Sequence, residues 1–319
     1  DSVKAYEHIK AAFRNSSLEL ETKAQMYMLL IQPGTIKISD VQQLELLHIL
    51  IETHIDDERP RALLVDYYLN KKQSEEARKQ LRLVLDIKKD NYLYWERLLL
   101  INNDLLDWKS MNDDSNKALI YFPEQPLIYI LKSVGLLQQK KYNELLTVLD
   151  SGIVHANKDP KILSQLYTYQ AEAYYSLKRF NDAFSVFDKV VELDPENYMA
   201  MNNYAYYLTL KGERLDVAEK LSAKVIQANP ENATYLDTYA WVFFIKKDYQ
   251  LAKFYMETAL SKPSEDSSVL VEHYGDILYH LNEKENALVQ WRKSLKMGNE
   301  SKVLKQKIAE KRYIETKEN

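Results

Sequence analysis

The sequence predicts an all-α protein, a solenoid of stacked helical hairpins. Four short strings copy one another: Thr168-Tyr169-Gln170-Ala171-Glu172, Asn202-Asn203-Tyr204-Ala205-Tyr206, Asp237-Thr238-Tyr239-Ala240-Trp241 and Glu272-His273-Tyr274-Gly275-Asp276. Their small residues at 171, 205, 240 and 275 step by 34, 35 and 35 residues. A second series, Ala183, Ala218, Ala252 and Ala287, steps by 35, 34 and 35 in phase with the first. Two phase-locked series at one period mark a repeat architecture. The composition agrees. Only six glycines and eight prolines occur in 319 residues, and Pro123, Pro160, Pro195, Pro230 and Pro263 fall 37, 35, 35 and 33 apart as punctuation.

Each unit reads as two helices. Tyr167, Tyr174 and Leu177 around Ala171, and Leu236, Tyr239 and Phe243 around Ala240, fall at helical spacing. A second apolar stripe opens at the second small residue, as in Ala183, Phe187, Val190 and Val191. A proline closes the unit, because the residue before it is pushed out of the α region. The small residues let the two helices approach, with Tyr and Phe filling the space beside them. One hairpin cannot bury its apolar face alone, so neighbours must stack.

This pattern resembles the tetratricopeptide repeat. The resemblance rests on Ala171, Ala205, Ala240 and Gly275 within the first helix, and on Tyr174, Leu208, Phe243 and Leu278 three residues further on. It extends to the alanine opening each second helix, to Phe187, Met256 and Trp291 four later, and to Pro195, Pro230 and Pro263. Ser222 stands where a large residue is usual, and Asn299 replaces the last proline. The resemblance implies a right-handed superhelix of about seven or eight hairpins that binds other proteins. The units are also similar to those of bacterial envelope-associated repeat proteins, many of them secreted or lipid-anchored. That implies a periplasmic or outer-membrane-associated location after leader removal, with the cytoplasm as the alternative.

In chain order, 1–14 form a short helix with Val3, Tyr6, Ile9, Ala12 and Phe13 apolar. Leu18–Ile31 and Val41–Ile55 make a hairpin-like pair around Pro33-Gly34, without the small-residue marks. Residues 1–57 are therefore an amino-terminal cap and degenerate repeat, since an array shields its ends with atypical units. Residues 58–163 hold three divergent repeats. The first is marked by Leu64, Val65 and Tyr68, then Ala77, Leu81 and Val84; the second by Trp95, Leu98 and Leu99, then Trp108, Met111 and Ala118. The third has Tyr129, Ser133 and Leu136, then Tyr142, Leu145 and Leu149. Trp108, Tyr142, Phe180 and Tyr249 share a slot just before the second helix, where they wedge the turn. Residues 164–299 hold four clear repeats. Residues 300–319 form a capping helix over 301–316, with Val303, Leu304 and Ile308 on one side and Lys302, Lys305, Lys311 and Arg312 elsewhere.

The net charge is −4, and basic residues form no separate domain or arm, which argues against a nucleic-acid partner. No apolar run approaches a membrane span, although a lipid anchor outside this sequence is compatible with it. The absence of cysteine excludes disulfides and thiol chemistry. A chain beginning at Asp1 without methionine implies removal of a leader, by processing or by design. No phosphate-cradling glycine loop, nucleophile elbow or dinucleotide fingerprint occurs, so no catalytic residue and no cofactor is expected.

The resemblance implies that the first helices line a concave groove. Its candidate partner-binding residues are Tyr169, Glu172 and Tyr175; Asn202, Asn203 and Tyr206; Asp237, Trp241 and Phe244; and Glu272, His273 and Asp276. Paired asparagines are poor helix formers, so Asn202-Asn203 either bond a bound peptide or hold the neighbouring repeat in register. Trp241, Tyr206 and Phe244 are either core or groove anchors. The core slots are already taken by Tyr239 and Phe243, which favours contact. Asp237, Glu272 and Asp276 occupy positions where some repeat proteins place the cations of a carboxylate clamp, so a ligand with basic or amide groups fits better. His273, Asp276 and His280, at i, i+3 and i+7 beside Glu272, could share a zinc ion with a neighbour. Without an HExxH pattern, a structural role for these histidines is preferred, and no metal is assigned. The chain is thus read as a non-enzymatic scaffold for a protein or peptide. The alternatives are a metal-dependent module on the Glu272–His280 helix, separable by zinc uptake, and a self-associating structural subunit, separable by sedimentation.

Overall fold

The computed structural model describes residues 2–32, 38–263 and 267–315, which contain 18 α-helices and no strand. Pro33-Gly34, expected between two helices, lies outside the described residues, as do the last four residues. The chain divides into two compact units, Asp1–Asn157 and Lys158–Asn319.

The amino-terminal unit opens with α1 (Ser2–Arg14), α2 (Leu20–Leu30) and α3 (Asp40–Thr53). Phe13 is fully buried among Leu46, Leu47 and Leu50, and the Tyr6 hydroxyl donates to Glu45 Oε2 at 2.8 Å. As a result α3 rests mainly on α1 and on the helix that follows it, rather than on α2. Three hairpins follow: α4 (Arg59–Asn70) with α5 (Ser74–Ile87), α6 (Tyr92–Asp104) with α7 (Trp108–Tyr121), and α8 (Pro126–Gln138) with α9 (Tyr142–His155). The carboxy-terminal unit has four hairpins and a final helix. These are α10 (Pro160–Ser176) with α11 (Phe180–Leu193), α12 (Tyr198–Lys211) with α13 (Leu215–Ala228), α14 (Ala233–Ile245) with α15 (Tyr249–Leu260), α16 (Ser267–His280) with α17 (Lys284–Lys296), and α18 (Lys302–Glu310). Within each unit, successive helices pack in a row, as the α-solenoid reading requires.

The small residues sit where the helices touch. Ala171, Ala205, Ala240, Ala183, Ala218, Ala252 and Ala287 are all fully buried. Gly275 shows why size matters, since a Cβ there would lie 2.5 Å from Trp291 Cδ1. Gly135 of α8, which sequence reading passed over, is similar: a Cβ would meet Asn112 Oδ1 at 2.7 Å.

The seven hairpin turns are built alike. Lys72, Leu106, Lys140, Lys178, Gly212, Lys247 and Asn282 adopt left-handed backbone with φ between 53° and 67°. The N–H of the next residue then donates five residues back, from Gln73 to Tyr68 O (2.8 Å) through to Glu283 to Leu278 O (2.9 Å). This closure satisfies a carbonyl that the helix end leaves open. Trp108, Tyr142, Phe180 and Tyr249 are each the first residue of a second helix. There Phe180 meets Tyr175 edge-on at 5.1 Å, and Tyr249 packs 5.6 Å from Phe244. The asparagines of the Asp-Pro-Glu-Asn and Asn-Pro-Glu-Asn strings cap the next first helices. Asn197 Oδ1 accepts from Ala200 N at 3.0 Å and Asn232 Oδ1 from Tyr235 N at 3.1 Å.

The last helix is shorter than expected. It ends at Glu310 because Lys311 is left-handed (φ 51°), and the chain turns so that Tyr313 reaches Phe244 and His280. No helix among the described residues is long and apolar enough to cross a membrane.

Candidate partner-binding groove

The first helices α12, α14 and α16 present one residue face side by side in the carboxy-terminal unit. Two adjoining cavities lie on it. One, of about 440 Å³, is bounded by Asn202, Asn203, Tyr206, Asp237 and His273 among others. The other, of about 360 Å³, is bounded by Tyr206, Trp241, Glu272, His273 and Asp276, with a wall from the carboxy-terminal segment. Tyr206, Val269 and His273 line both.

Eight of the twelve groove candidates border these cavities on three helices, and Asn202, Asn203 and Asp237 border only the larger. Asn203 is tied to the preceding repeat, its Nδ2 donating to Glu172 Oε1 at 2.9 Å. Glu172 also accepts from the Tyr207 hydroxyl at 2.5 Å, and the Tyr207 ring stacks on Tyr175 with centroids 3.8 Å apart. Burial raises the Glu172 carboxyl above its ordinary range, against the lowering effect of the Tyr207 and Asn203 hydrogen bonds. Asn202 is 6% exposed, and its Oδ1 has no protein donor. Glu172 and Tyr175 thus join repeats together and border neither cavity. Tyr169, half-buried, accepts a hydrogen bond from Gln165 Nε2 at 3.3 Å and likewise lies outside both.

On α14 the geometry is tighter. Trp241 is 8% exposed and lies between two rings, Phe244 at 4.4 Å and the His273 imidazole at 4.1 Å, both nearly parallel to it. By burial Trp241 and Phe244 belong to the core. Trp241 still forms part of the smaller cavity's wall, whereas Phe244 does not. His273 Nδ1 lies 2.8 Å from Asp237 Oδ1; a carboxylate only accepts, so Nδ1 carries the proton. Burial lowers the imidazole's proton affinity, but the Asp237 carboxylate, together with Asp276 and Glu272, more than offsets it, and the net shift is upward.

Asp276 is 2% exposed, and all its partners are internal. Its Oδ1 accepts from Trp291 Nε1 at 2.9 Å and its Oδ2 from Lys307 Nζ at 2.7 Å. Glu272 accepts from the same Lys307 ammonium at 2.8 Å and from Asn299 Nδ2 at 2.7 Å. Burial pushes the Asp276 carboxyl up to about 6, against the opposing pull of Lys307. The acidic residues of α16 are therefore held by a cation from α18. His280, exposed at the surface, stacks on Tyr249 at 4.8 Å. Among the described residues no group of three or more His, Asp or Glu is placed to hold a metal ion.

Lys307 was missed in the sequence because it lies on a helix read only as a cap. A signal existed. Glu272 and Lys307 are 35 residues apart, as are Glu172 and Tyr207, so one repeat length added to a first-helix acid points to its partner.

Residues 164–197 match the family model described as tetratricopeptide repeat. No curated protein matches the sequence. Among solved structures, a tetratricopeptide repeat protein from Parabacteroides merdae is similar with a TM-score of 0.62 at 16% identity, over 80% of this chain and 98% of that one. Cut9–Hcn1 of the APC/C is similar at 0.57 and 14%, over 97% of this chain and 63% of that one. A monomeric IFIT1 mutant solved with m7Gppp-AAAA is similar at 0.55 and 13%, over 85% and 67%. At these identities the likeness shows the fold alone.

Proposed function

We propose that this tetratricopeptide repeat protein is a non-enzymatic scaffold that binds a protein or peptide segment along the groove of its carboxy-terminal unit. Proteins of this fold commonly mediate protein interactions. The observation that carries the reading is the pair of adjoining cavities on α12, α14 and α16, which share Tyr206, Val269 and His273. Both have aromatic walls and a few polar groups, the usual make-up of a recognition site. Asn202, Asn203, Tyr206, Asp237, Trp241, Glu272, His273 and Asp276 form the site. Tyr169, Glu172, Tyr175 and Phe244 support it from outside the cavities. Four carboxylates, Asp237, Glu272, Asp276 and Glu315, border the cavities against two lysines, Lys302 and Lys307, and this acidic balance favours a ligand with basic or amide groups. The capped RNA of the IFIT1 structure is not carried over, because this chain has a net charge of −4 and no basic arm.

The test is comparative capture from the native source. The wild type and Phe254→Ala, altered at an exposed position of α15, should retain the same partner. A Tyr206→Ala, Val269→Asp double variant should lose it, since truncating one aromatic anchor alone costs about 2 kcal/mol, roughly thirtyfold in affinity. A partner held equally by the double variant overturns the groove reading. The envelope location implied by the resemblance is part of the same proposal, and fractionation of the source cells tests it.

A further inference from the structure

A cavity of different character lies in the amino-terminal unit, between the second helices α5 and α7 and above α6. It has a volume of about 380 Å³. Its floor is apolar, made of Leu85, Leu98 and Trp95, each no more than 5% exposed. Trp95 is fixed there, because its Nε1 donates to the Lys89 carbonyl at 2.8 Å. The Tyr121 ring stacks on it with centroids 6.0 Å apart and an interplanar angle of 18°. The rim is also apolar in part. Ile120 is 74% exposed and Tyr121 43%, and both line the cavity.

The other edge carries charge. Asp114, 2% exposed, accepts from Arg82 Nη2 at 2.8 Å, from Lys117 Nζ at 3.3 Å and from Asn102 Nδ2 at 3.0 Å. Two cations thus converge on one buried carboxylate, which can neutralise only one of them. Arg82 Nε has no hydrogen-bond partner. Lys89 adds a further positive charge to the lining and Asp86 one negative charge, so a net positive charge remains.

We propose that this cavity docks an acidic stretch of a partner polypeptide, with one apolar side chain on the Leu85–Trp95–Leu98 floor and a carboxylate against Arg82 and Lys117. The apolar floor and the exposed Ile120 gain from covering by a side chain such as Leu or Phe. The unmatched cation gains from a carboxylate, which a guanidinium binds with directional hydrogen bonds. A nucleic-acid strand is disfavoured, since one residual charge beside Asp86 matches a phosphate backbone poorly. This site is independent of the groove on the other unit and stands or falls separately from it.

The experiment is selection of nine-residue peptides from a random displayed library on the whole protein, with Ile120→Asp as the counter-selecting variant. Ile120 is on the surface, so this variant should fold as the wild type does, which a thermal melt checks. Peptides lost by Ile120→Asp should carry Asp or Glu beside Leu or Phe. By fluorescence anisotropy their affinity should fall at least about tenfold in Ile120→Asp and in Arg82→Gln. It should weaken with added salt and stay unchanged in Tyr206→Ala. Enrichment of basic or uncharged sequences overturns the proposal, as does a selection in which no peptide depends on Ile120. Displacement of the selected peptide by a single-stranded oligonucleotide at equal concentration overturns it in favour of nucleic acid.

Discussion

Glu272 and Lys307 stand one repeat apart in sequence, and their side chains meet at 2.8 Å. The same ammonium bonds Asp276 at 2.7 Å, with Lys307 1% exposed and Asp276 2%. Removing one partner of a buried ionic group leaves uncompensated charge and costs about 3–5 kcal/mol. Lys307→Met should therefore lower the stability of the carboxy-terminal unit by that order, measured by denaturant unfolding. Glu272→Gln, at a half-buried carboxylate, should cost less, since Asp276 still accepts from the lysine. A Lys307→Met protein as stable as the wild type would show that the ion cluster contributes nothing net.

The same cluster should make stability depend on pH. The Asp276 carboxyl is raised to about 6 in the fold, above its ordinary value of 3.8, so between these values the folded state binds more proton than the unfolded one. Stability must then fall as pH rises through this window. His273, also raised, works in the same direction at higher pH, because its contribution is present below its unfolded value and is lost as pH rises through the folded one. The carboxy-terminal unit should be more stable at pH 5 than at pH 8, by an amount on the order of 1–3 kcal/mol. Hydrogen exchange of α16–α18 at the two pH values reads this locally. Asp276→Asn should flatten most of the difference between pH 5 and pH 6.5, and an unchanged slope would assign it to other groups.

The hairpin turns give a prediction of opposite sign. Leu106 holds φ at 53° while 66% exposed, so its side chain contributes little packing to offset a backbone conformation that disfavours a Cβ. Leu106→Gly should raise the stability of the amino-terminal unit by roughly 0.5–1 kcal/mol, the left-handed penalty less the extra freedom of glycine in the unfolded chain. Gly212 takes this conformation naturally in the equivalent turn, with φ 64°. A lower melting temperature for Leu106→Gly would mean that the leucine makes a contribution its exposure hides.

These turns also show where sequence reading stops. The alternation of first and second helices was legible from Ala171 to Ala287, because close helix contact tolerates only small side chains and so writes itself at a fixed period. The left-handed turn residue was not legible. Four of its seven occupants are lysines, and the strain at Lys72 or Lys247 is set by backbone hydrogen bonding rather than by side-chain identity. Gly135 was lost for another reason: it stands 36 residues before Ala171, one out of step, although it is pressed against Met111 and Asn112. That Asn202, Tyr206 and His273 share one face was readable by position, since all three border the same cavity. Which of its residues are engaged internally was not readable, because Glu172 and Asp276 find their partners in neighbouring repeats.

Ala240 and Trp241 occupy adjacent positions of α14 and pack against different neighbours. Ala240 is fully buried between helices, so Ala240→Leu should overpack that contact and cost roughly 1–3 kcal/mol. Trp241 is turned about 100° around the helix from it. With 8% exposure and rings from Phe244 and His273 on its faces, Trp241 is a core residue by packing. Trp241→Ala should therefore cost roughly 3–5 kcal/mol of stability, the range for truncating a large buried aromatic. Trp241→Phe, which keeps a ring between the same neighbours, should restore most of that loss. If the truncation leaves the melting temperature unchanged, the stack on His273 is not holding α14 to α16, and Trp241 is free to serve as an anchor for the groove's ligand. Tyr206→Ala supplies the contrast, since Tyr206 is half-buried and lines both cavities. It should lose less stability than Trp241→Ala while weakening partner capture more than Phe254→Ala on α15 does. The two melts can be recorded before any partner is known, and their order separates the residue that holds α14 to α16 from the residue that only lines the cavities.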